Sequence, residues 1–544
     1  MKKKTEDIQF SVEEQPEKKP KKKNKSSKKP NIFVYIISAI IMLVTIYLAY
    51  RTYMLVSSYT FLPEKYIKIC LCVLIGFCGF FSIIAFLPNV NNLNKILQSV
   101  ICALLSAGLI MVNTYLPTIK GQLERTFTAI PEEGDLMINV YVLNDSGYTD
   151  ITDLEGKTIG VQSELDQEYQ EYAIKVINRE FEGEEVVTKE YEDIYSLTEA
   201  LYNKEVDAIM FNETYATIVS QNDDFLEFTT DTSVLYSCVQ KIKLDFNTTD
   251  VGNITTEPFV VLVGGNDEWE NKMAESTTGY VGRTDVQMLV VVNPTSKQVL
   301  IITIPRDSYV PLFGNSNKMD KLTHASIYGY DAWVETVSSY FNVDINYFVR
   351  INFASLVNIV DAIGGVDVDN PYYFKSSYCM RWNEENQTAY TETQEFQEGL
   401  IHLDGPGALG YVRERYYIKE DGTNIGDVGR NQHQAIVLKA MIKKLTTVET
   451  ITHIEDLFKA IEGTFVTNIS TDQIYALVQM QLDDMATWNI SQYSLSGYGS
   501  YETSYAMGQS TGNTYSVLIL YSDMVNQAKQ YIQQVLNGQT VTIE

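Results

Sequence analysis

Histidine and cysteine are scarce in this chain: four and six in 544 residues. Four of the cysteines (Cys70, Cys72, Cys78, Cys102) fall inside long apolar runs, where they act as small packing residues. No C-x-x-C pair and no His/Cys cluster occurs, so nothing points to a zinc site. Cys238 and Cys379 are the only cysteines elsewhere, and the sequence leaves their pairing open. Basic residues are also scarce beyond the N-terminal region. The first 120 residues hold 16 Lys+Arg against 6 Asp+Glu, a net of +10, while the whole chain is −27, so residues 121–544 carry −37. A body of that sign has no broad basic face, which excludes direct DNA binding.

What the N-terminal region does have is lysine and apolar length. Residues 1–30 contain eleven lysines and only one aromatic, Phe10, a composition that cannot bury enough surface to fold. Three apolar runs follow, at 31–50, 69–87 and 96–116. Each is long enough to cross a hydrocarbon core of about 30 Å. The first lacks the short h-region and small-residue cleavage site of a signal peptide, and two further spans follow it. The lysine tail is expected to stay in the cytoplasm. Three crossings then place everything after Leu116 outside the cell membrane, although Arg51, Lys65 and Lys68 in the first external loop against Lys95 in the internal one pull mildly the other way.

The outer body reads as two α/β units, at 122–248 and 257–544, joined by the linker 246-FNTTDVGNITTEP-258. In the first, 137–143 reads as a strand, 151–162 as a helical turn, a glycine turn and a second strand, 168–181 as an amphipathic stretch, and 194–216 as helix, turn, strand and turn, a βαβ arrangement that predicts parallel strands. It resembles one lobe of a periplasmic solute-binding protein without a complete second lobe. That favours a spacer which retained the fold over a sugar or peptide sensor. In the second unit, 288–305 predicts a β-hairpin with a five-residue turn. A helix around 331–341, a strand at 347–353 and a helix at 354–364 stopped by Gly364 and Gly365 follow, so the fold class is a mixed sheet flanked by helices. Farther on, 451–482 has helical periodicity, and 492–520 is rich in Tyr, Ser and Gly and ends in a strand. A helix at 523–536 completes the pattern. The tyrosines there read as completion of the sheet, with sugar stacking as the alternative.

The stretch 299-VLIITIPRDSYV-310 runs a buried strand into Pro305, Arg306 and Asp307. Other charges gather at element ends: Asp267 after the first strand of the second unit, Arg283 and Asp285 before the hairpin, and Lys321 in 320-DKLTHA-325. Arg413 and Arg415 follow in 411-YVRERYY-417, then Arg430 and Gln434 in 429-GRNQHQA-435. Read as a strand, 411–417 would aim Arg413 and Arg415 the same way, while Arg430 and Gln434 share a face of a helix. Guanidinium forks match phosphate oxygens. Carboxylates beside phosphates suit magnesium. From spacing alone, a diphosphate–metal site competes with a surface ion-pair network.

The segments 283-RTD-285, 304-IPRDSYV-310, 320-DKLTHA-325, 361-DAIGGVDVD-369, 403-LDGPGALGYVRER-415 and 427-DVGRNQHQ-434 resemble, in order and spacing, the LytR-CpsA-Psr family of cell-wall glycopolymer transferases. Three spans and an extra outer unit are similar to its CpsA-like members. The resemblance implies a magnesium-dependent phosphotransferase that moves a capsular or teichoic-acid-like polymer from polyprenyl diphosphate to peptidoglycan. Such a protein sits in the membrane of a Gram-positive-type bacterium, near capsule or wall assembly machinery. It implies that Asp267 and Asp285 hold the metal, with Asp285 a candidate base, and that Arg283, Arg306, Lys321, Arg413, Arg415, Arg430 and Gln434 bind the diphosphate. Asp267, Asp285 and Arg306 would be the catalytic groups. Leu356, Val357, Ile359 and Val360 are candidates for a lipid slot. Two departures stand out: His433 where many members carry arginine, and 264-GGND-267 in place of Gly-Ser-Asp. The step from Asp267 to Asp285 reads as a flexible loop over the site. A carrier-diphosphate hydrolase and a non-catalytic scaffold remain the alternatives.

Overall fold

The computed structural model describes residues 31–57, 64–87, 90–126, 133–163, 166–220, 222–243, 248–265, 283–315, 317–383, 388–447, 465–506 and 514–543, and singly 457 and 512. The lysine-rich tail, Asp267 with its following loop, and most of 448–464 lie outside the described residues. The chain divides into two compact units, one ending at Thr114 and one containing 115–544.

Three helices, Ile32–Ser57, Glu64–Phe86 and Asn92–Thr126, build the first unit, the last of them as far as Thr114. All three are long and apolar enough to cross a membrane. Helices one and three meet along a polar seam. The Ser38 hydroxyl donates to Gln98 Oε1 (2.5 Å), Thr45 and Ser106 share a hydroxyl contact (2.9 Å), and Asn113 Nδ2 donates to Thr52 (2.6 Å). Positions 38, 45 and 52 are seven apart, so they stack on one helix face. Lys95, expected in a loop, lies in the first turn of the third helix and donates to the Ala85 carbonyl at 2.7 Å. The last turn of the second helix thereby gains a partner for an otherwise unpaired carbonyl.

The second unit opens with a five-stranded lobe: β1 (Glu133–Leu143), β2 (Thr158–Gln162), β3 (Val187–Tyr191), β4 (Ala208–Asn212) and β5 (Thr232–Lys243), in the order β3-β2-β4-β1-β5. The predicted parallel pairing holds for β2 with β3 and β4. It fails for β1, which runs antiparallel to both β4 and β5. The reason is connection length: parallel neighbours need a helical crossover. Helices Gln167–Ile177 and Ile194–Tyr202 supply two of these, whereas β1 and β2 have only the short 3-10 turn Ile151–Leu154 between them. Asp193 caps the second crossover helix, accepting from the amides of Tyr195 and Ser196.

A six-stranded mixed sheet follows: β6 (Phe259–Gly265), β7 (Val286–Asn293), β8 (Gln298–Thr303), β11 (Tyr347–Ile351), β16 (Phe465–Thr467) and β17 (Asn489–Ser494), ordered β16-β11-β6-β7-β8-β17. The β7–β8 hairpin forms as expected, with a four-residue turn at 294–297. Its central strands read as continuous apolar runs because both faces are covered. Val260, Leu262, Leu289, Val291, Leu300 and Ile302 pack on one face with helices Tyr330–Phe341 and Ser522–Leu536. Phe259, Val261, Met288, Val290, Val299 and Ile301 pack on the other with Gly426–Leu445 and Thr471–Asp484. The result is an α-β-α sandwich. β17 pairs in parallel with β8 at the sheet's edge, but the rest of the 492–520 region, expected to complete the sheet, instead forms a separate two-stranded pair, β18 (Gly497–Glu502) with β19 (Tyr515–Leu520). The two-stranded pairs β9 (Tyr309–Pro311) with β10 (Met319–Lys321), β12 (Val366–Asn370) with β15 (Gly399–Leu403), and β13 (Phe374–Asn383) with β14 (Thr388–Phe396) also stand beside the sheet. Cys238 and Cys379 are both free and buried, in different cores.

Candidate active site

Three strand ends and one strand start lie at the same edge of the sandwich. β6 ends at Gly265, β11 at Ile351 and β8 just before Arg306, while the antiparallel β7 begins after Asp285. Ligands of open α/β sheets bind beyond such ends. Here a cavity of about 250 Å³ opens. Its lining includes Arg306, Arg413, Arg415, Arg430, Gln434 and one carboxylate, Asp285. Apolar side chains line it too, among them Met288, Ile351, Leu356, Val437, Leu438 and Met441.

Arg306 answers why a buried strand runs into charge. Pro305 ends the ladder, and the guanidinium Nη1 donates to Asp285 Oδ1 at 2.6 Å, with Asp307 3.5 Å from Nε. Burial works against its charge, but Asp285 and Asp307 outweigh burial and raise its pKa above the ordinary arginine value. Arg430 is held on helix Gly426–Leu445, one turn before Gln434, so the expected shared face is present. Burial lowers its pKa, and Asp427, 2.9 Å away, offsets part of that. Asp427 also stands 3.6 Å from Arg415.

Arg413 and Arg415 do meet in the cavity, but not as alternate residues of a strand. Arg413 closes the helix Gly405–Arg413, and Arg415 follows in extended chain. Asp404 caps that helix, accepting from Gly407 N at 2.8 Å, and Pro406 sits in its first turn, where no amide is needed. The Arg413 guanidinium lies over the rings of Phe353 (4.5 Å) and Tyr378 (4.9 Å), which hold it by cation–π contact. Arg415 rests on Tyr416 in the same way. Phe353, Tyr378 and Asp427 escaped sequence reasoning. The aromatics lie in segments without a charge pattern, but Asp427 three residues before Arg430 was a readable ion-pair spacing.

Two expected diphosphate ligands do not line the cavity. Lys321 sits 3.7 Å from Asp307, behind Arg306, and Arg283 stands half-buried two residues before Asp285. Of the four lipid-slot candidates, only Leu356 lines the cavity; Val360 is core, and Val357 and Ile359 pack against that core. His433 is fully buried among Phe374, Tyr411 and Tyr372. Nδ1 lies 3.1 Å from the Tyr411 carbonyl and Nε2 3.0 Å from the Tyr372 hydroxyl. It therefore does not substitute for a guanidinium at the cavity. Gly264 has a packing reason: a Cβ there would stand 2.5 Å from Trp333 and 2.9 Å from Thr284. Among the described residues no cluster of three or more His, Cys, Asp or Glu forms a metal site.

Residues 229–522, over half the chain, match the family model LytR_cpsA_psr. The chain belongs to the LytR-CpsA-Psr family. Its similar curated proteins include a polyisoprenyl-teichoic acid–peptidoglycan teichoic acid transferase TagU of Bacillus cereus, 36% identical over 221 residues, which are 40% of this chain and 63% of that protein. The Enterococcus faecalis protein of the same name is 33% identical, over 40% of this chain and 64% of its own length. These alignments thus take in less than two thirds of either relative. Among solved structures, TagV of B. subtilis is 25% identical with a TM-score of 0.40, covering 53% of this chain and 99% of that one. Protein gbs0355 of Streptococcus agalactiae is 24% identical with a TM-score of 0.40, covering 53% and 90%. The family match starts inside the five-stranded lobe, three residues before β5.

Proposed function

We propose that this protein transfers a glycopolymer from a polyprenyl diphosphate carrier to peptidoglycan, at the outer face of a Gram-positive-type cell membrane. The observation that carries this is the mixed lining of the cavity: four arginines and one aspartate share it with Met288, Ile351, Leu356, Val437, Leu438 and Met441. That lining fits an amphiphile with a diphosphate head and a hydrocarbon tail. Family membership and the names of the two relatives point the same way. In this reading the lysine-rich tail is cytoplasmic, 122–248 is an accessory domain and 257–544 the catalytic one.

The carrier brings its own leaving group. A hydroxyl of the peptidoglycan acceptor attacks the phosphorus next to the sugar. The phosphoanhydride bond breaks, polyprenyl monophosphate leaves with the bond's electron pair, and the acceptor proton passes to a base. Asp285 fits that base role once the substrate draws Arg306 away from its oxygen. Arg306, Arg413, Arg415 and Arg430 neutralise charge on the phosphoryl oxygens, and Gln434 adds a hydrogen bond. Leu356, Met288 and Met441 take the first isoprene units. Lys321 acts behind Arg306 through Asp307. Magnesium, if bound, would add charge neutralisation. Asp285 is the described carboxylate that fits it, together with phosphate oxygens. The expected second ligand, Asp267, lies outside the described residues.

The test is turnover by the full-length protein in nanodiscs. Polyprenyl diphosphate oligosaccharide is supplied with and without peptidoglycan fragments, and polyprenyl monophosphate and linked glycan are followed. Acceptor-dependent linkage, lost by a hundredfold or so in Arg306→Ala and Arg413→Ala, is the expected outcome. Lipid release without linkage would replace the transferase with a hydrolase. Tight lipid binding without turnover would leave a scaffold.

A further inference from the structure

The five-stranded lobe is not simply tethered to the sandwich. Ile327, fully buried, belongs to the same apolar core as Leu197, Phe211 and Phe228 of the lobe. Beside it the ring of Tyr328 meets lobe residue Tyr215 at 5.9 Å between centroids. The segment that carries Ile327 is also tied to the active site. The Thr323 amide donates to the Arg306 carbonyl at 2.9 Å, the Leu322 amide to Ser308 at 2.8 Å, and the Thr323 carbonyl accepts from Thr284, the residue before Asp285, at 3.4 Å. Asp320 fixes the start of the segment. Its carboxylate has no exposure and accepts from Lys321 N, His324 Nδ1, Ser504 Oγ and Ala506 N, all within 2.8 Å. A second route runs through β19: Tyr515 stacks near Tyr195 of the lobe (6.3 Å), and Leu518 N donates to the Asp307 carbonyl at 2.8 Å.

We propose that the lobe is a positioning part of the active site, holding the backbone of Arg306 and of the Asp285 turn in place through residues 320–328 and β19. The physical argument is geometric. After Pro305 the chain leaves the sheet, so the strand ladder no longer fixes Arg306. Its backbone is held instead by hydrogen bonds from Thr323 to Arg306, from Leu322 to Ser308 and from Leu518 to Asp307, and the segments that donate them are packed on the lobe. A displacement of about 1 Å in a group that stabilises a transferring phosphoryl costs on the order of a hundredfold in rate, while binding through the other arginines persists. The proposal rests on the diphosphate reading for its effect on turnover, but its mechanical part stands without it.

Both parts are measured on the full-length protein in nanodiscs. Tyr215→Ala removes a ring that lies in the lobe and does not line the cavity. Ile327→Val is a milder change of the same contact, should the first variant fold poorly. The exposed Tyr501→Ala serves as control. Hydrogen exchange should speed up about tenfold or more at the amides of Thr284, Leu322 and Thr323 in both lobe-contact variants. In transfer assays kcat should fall at least about tenfold with KM for the lipid within about twofold, and Tyr215→Phe should restore it. Unchanged exchange at those amides overturns the proposal, as does faster exchange with kcat intact. If the unsubstituted protein transfers nothing, the transferase reading falls, and the exchange measurement still decides whether the lobe holds this backbone.

Discussion

A buried imidazole packed among Phe374, Tyr411 and Tyr372 has little room for charge. Burial pulls the His433 pKa down to about 4, against 6.5 in an open chain. The neutral ring suits both neighbours: Nδ1–H donates to the Tyr411 carbonyl and Nε2 accepts from the Tyr372 hydroxyl. Because the folded value lies below the unfolded one, protonation favours the unfolded chain. Stability from this residue is complete above pH 6.5 and drains away as pH falls toward 4, by ~3 kcal/mol at ~1.4 kcal/mol per pH unit. His433→Phe should flatten that part of the curve, measured as the difference in unfolding free energy between pH 7 and pH 4; an equally steep curve in the variant would refute the assignment. The sequence singled this position out, as a histidine where the family resemblance led us to expect arginine. It could not show where the side chain points, because residues 430, 433 and 434 sit within about a turn of one helix. Arg430 and Gln434 line the cavity, and His433 lies among Tyr372, Phe374 and Tyr411 instead.

The helix Gly405–Arg413 shows why one element was misread. Three glycines in nine residues argue against a helix by propensity. Yet its start signals, Asp404 and Pro406, are legible, and Gly410 has a packing reason: a Cβ there would collide with Cys379 of β13. Tertiary contact overrides propensity, and the arginine that ends this helix reaches the cavity from a helix end rather than from a strand face. Asp404→Ala should therefore cost about 1 to 2 kcal/mol in denaturant unfolding. Asp404 also pairs with Arg381 at 3.0 Å, a half-exposed contact worth little. Asp404→Ser, which keeps the cap and drops the pair, should recover most of the loss; recovery of less than half would assign the effect to Arg381 instead. The β8 run and the helix Phe353–Ala362 were readable for the opposite reason. Local signals and burial agree there: Gly364 and Gly365 both take positive φ just past the helix end.

At the scale of the whole molecule, the two compact units are built on opposite solvents. The sandwich hides its apolar faces from water, whereas the three-helix unit leaves Leu43, Val73, Phe80 and Leu104 exposed and keeps hydroxyls and amides inside. In lipid the apolar effect gives helices no reason to associate, so the seam of Ser38, Thr45 and Thr52 with Gln98, Ser106 and Asn113 supplies specific contacts. Removing all three contacts with Ser38→Ala, Thr45→Val and Thr52→Val should weaken the helix unit by ~2 kcal/mol, at ~0.6 kcal/mol each, in a detergent unfolding titration. Stability unchanged by the triple substitution would mean shape packing alone holds the helices. The span positions were legible because length and hydropathy suffice. The seam was not, since isolated hydroxyls in an apolar run carry no signal until the partner helix is known.

β5 pairs with β1 along its whole length, from Thr232 against Leu143 to Lys243 against Glu133. The family match nevertheless begins at residue 229 and takes β5 without β1. A fragment cut to that match would carry a twelve-residue ribbon stripped of its mate, with a row of unquenched amides and carbonyls along one margin. Such a margin invites a second copy to zip on, so a clumping fragment would report a severed strand pair rather than an unstable catalytic fold.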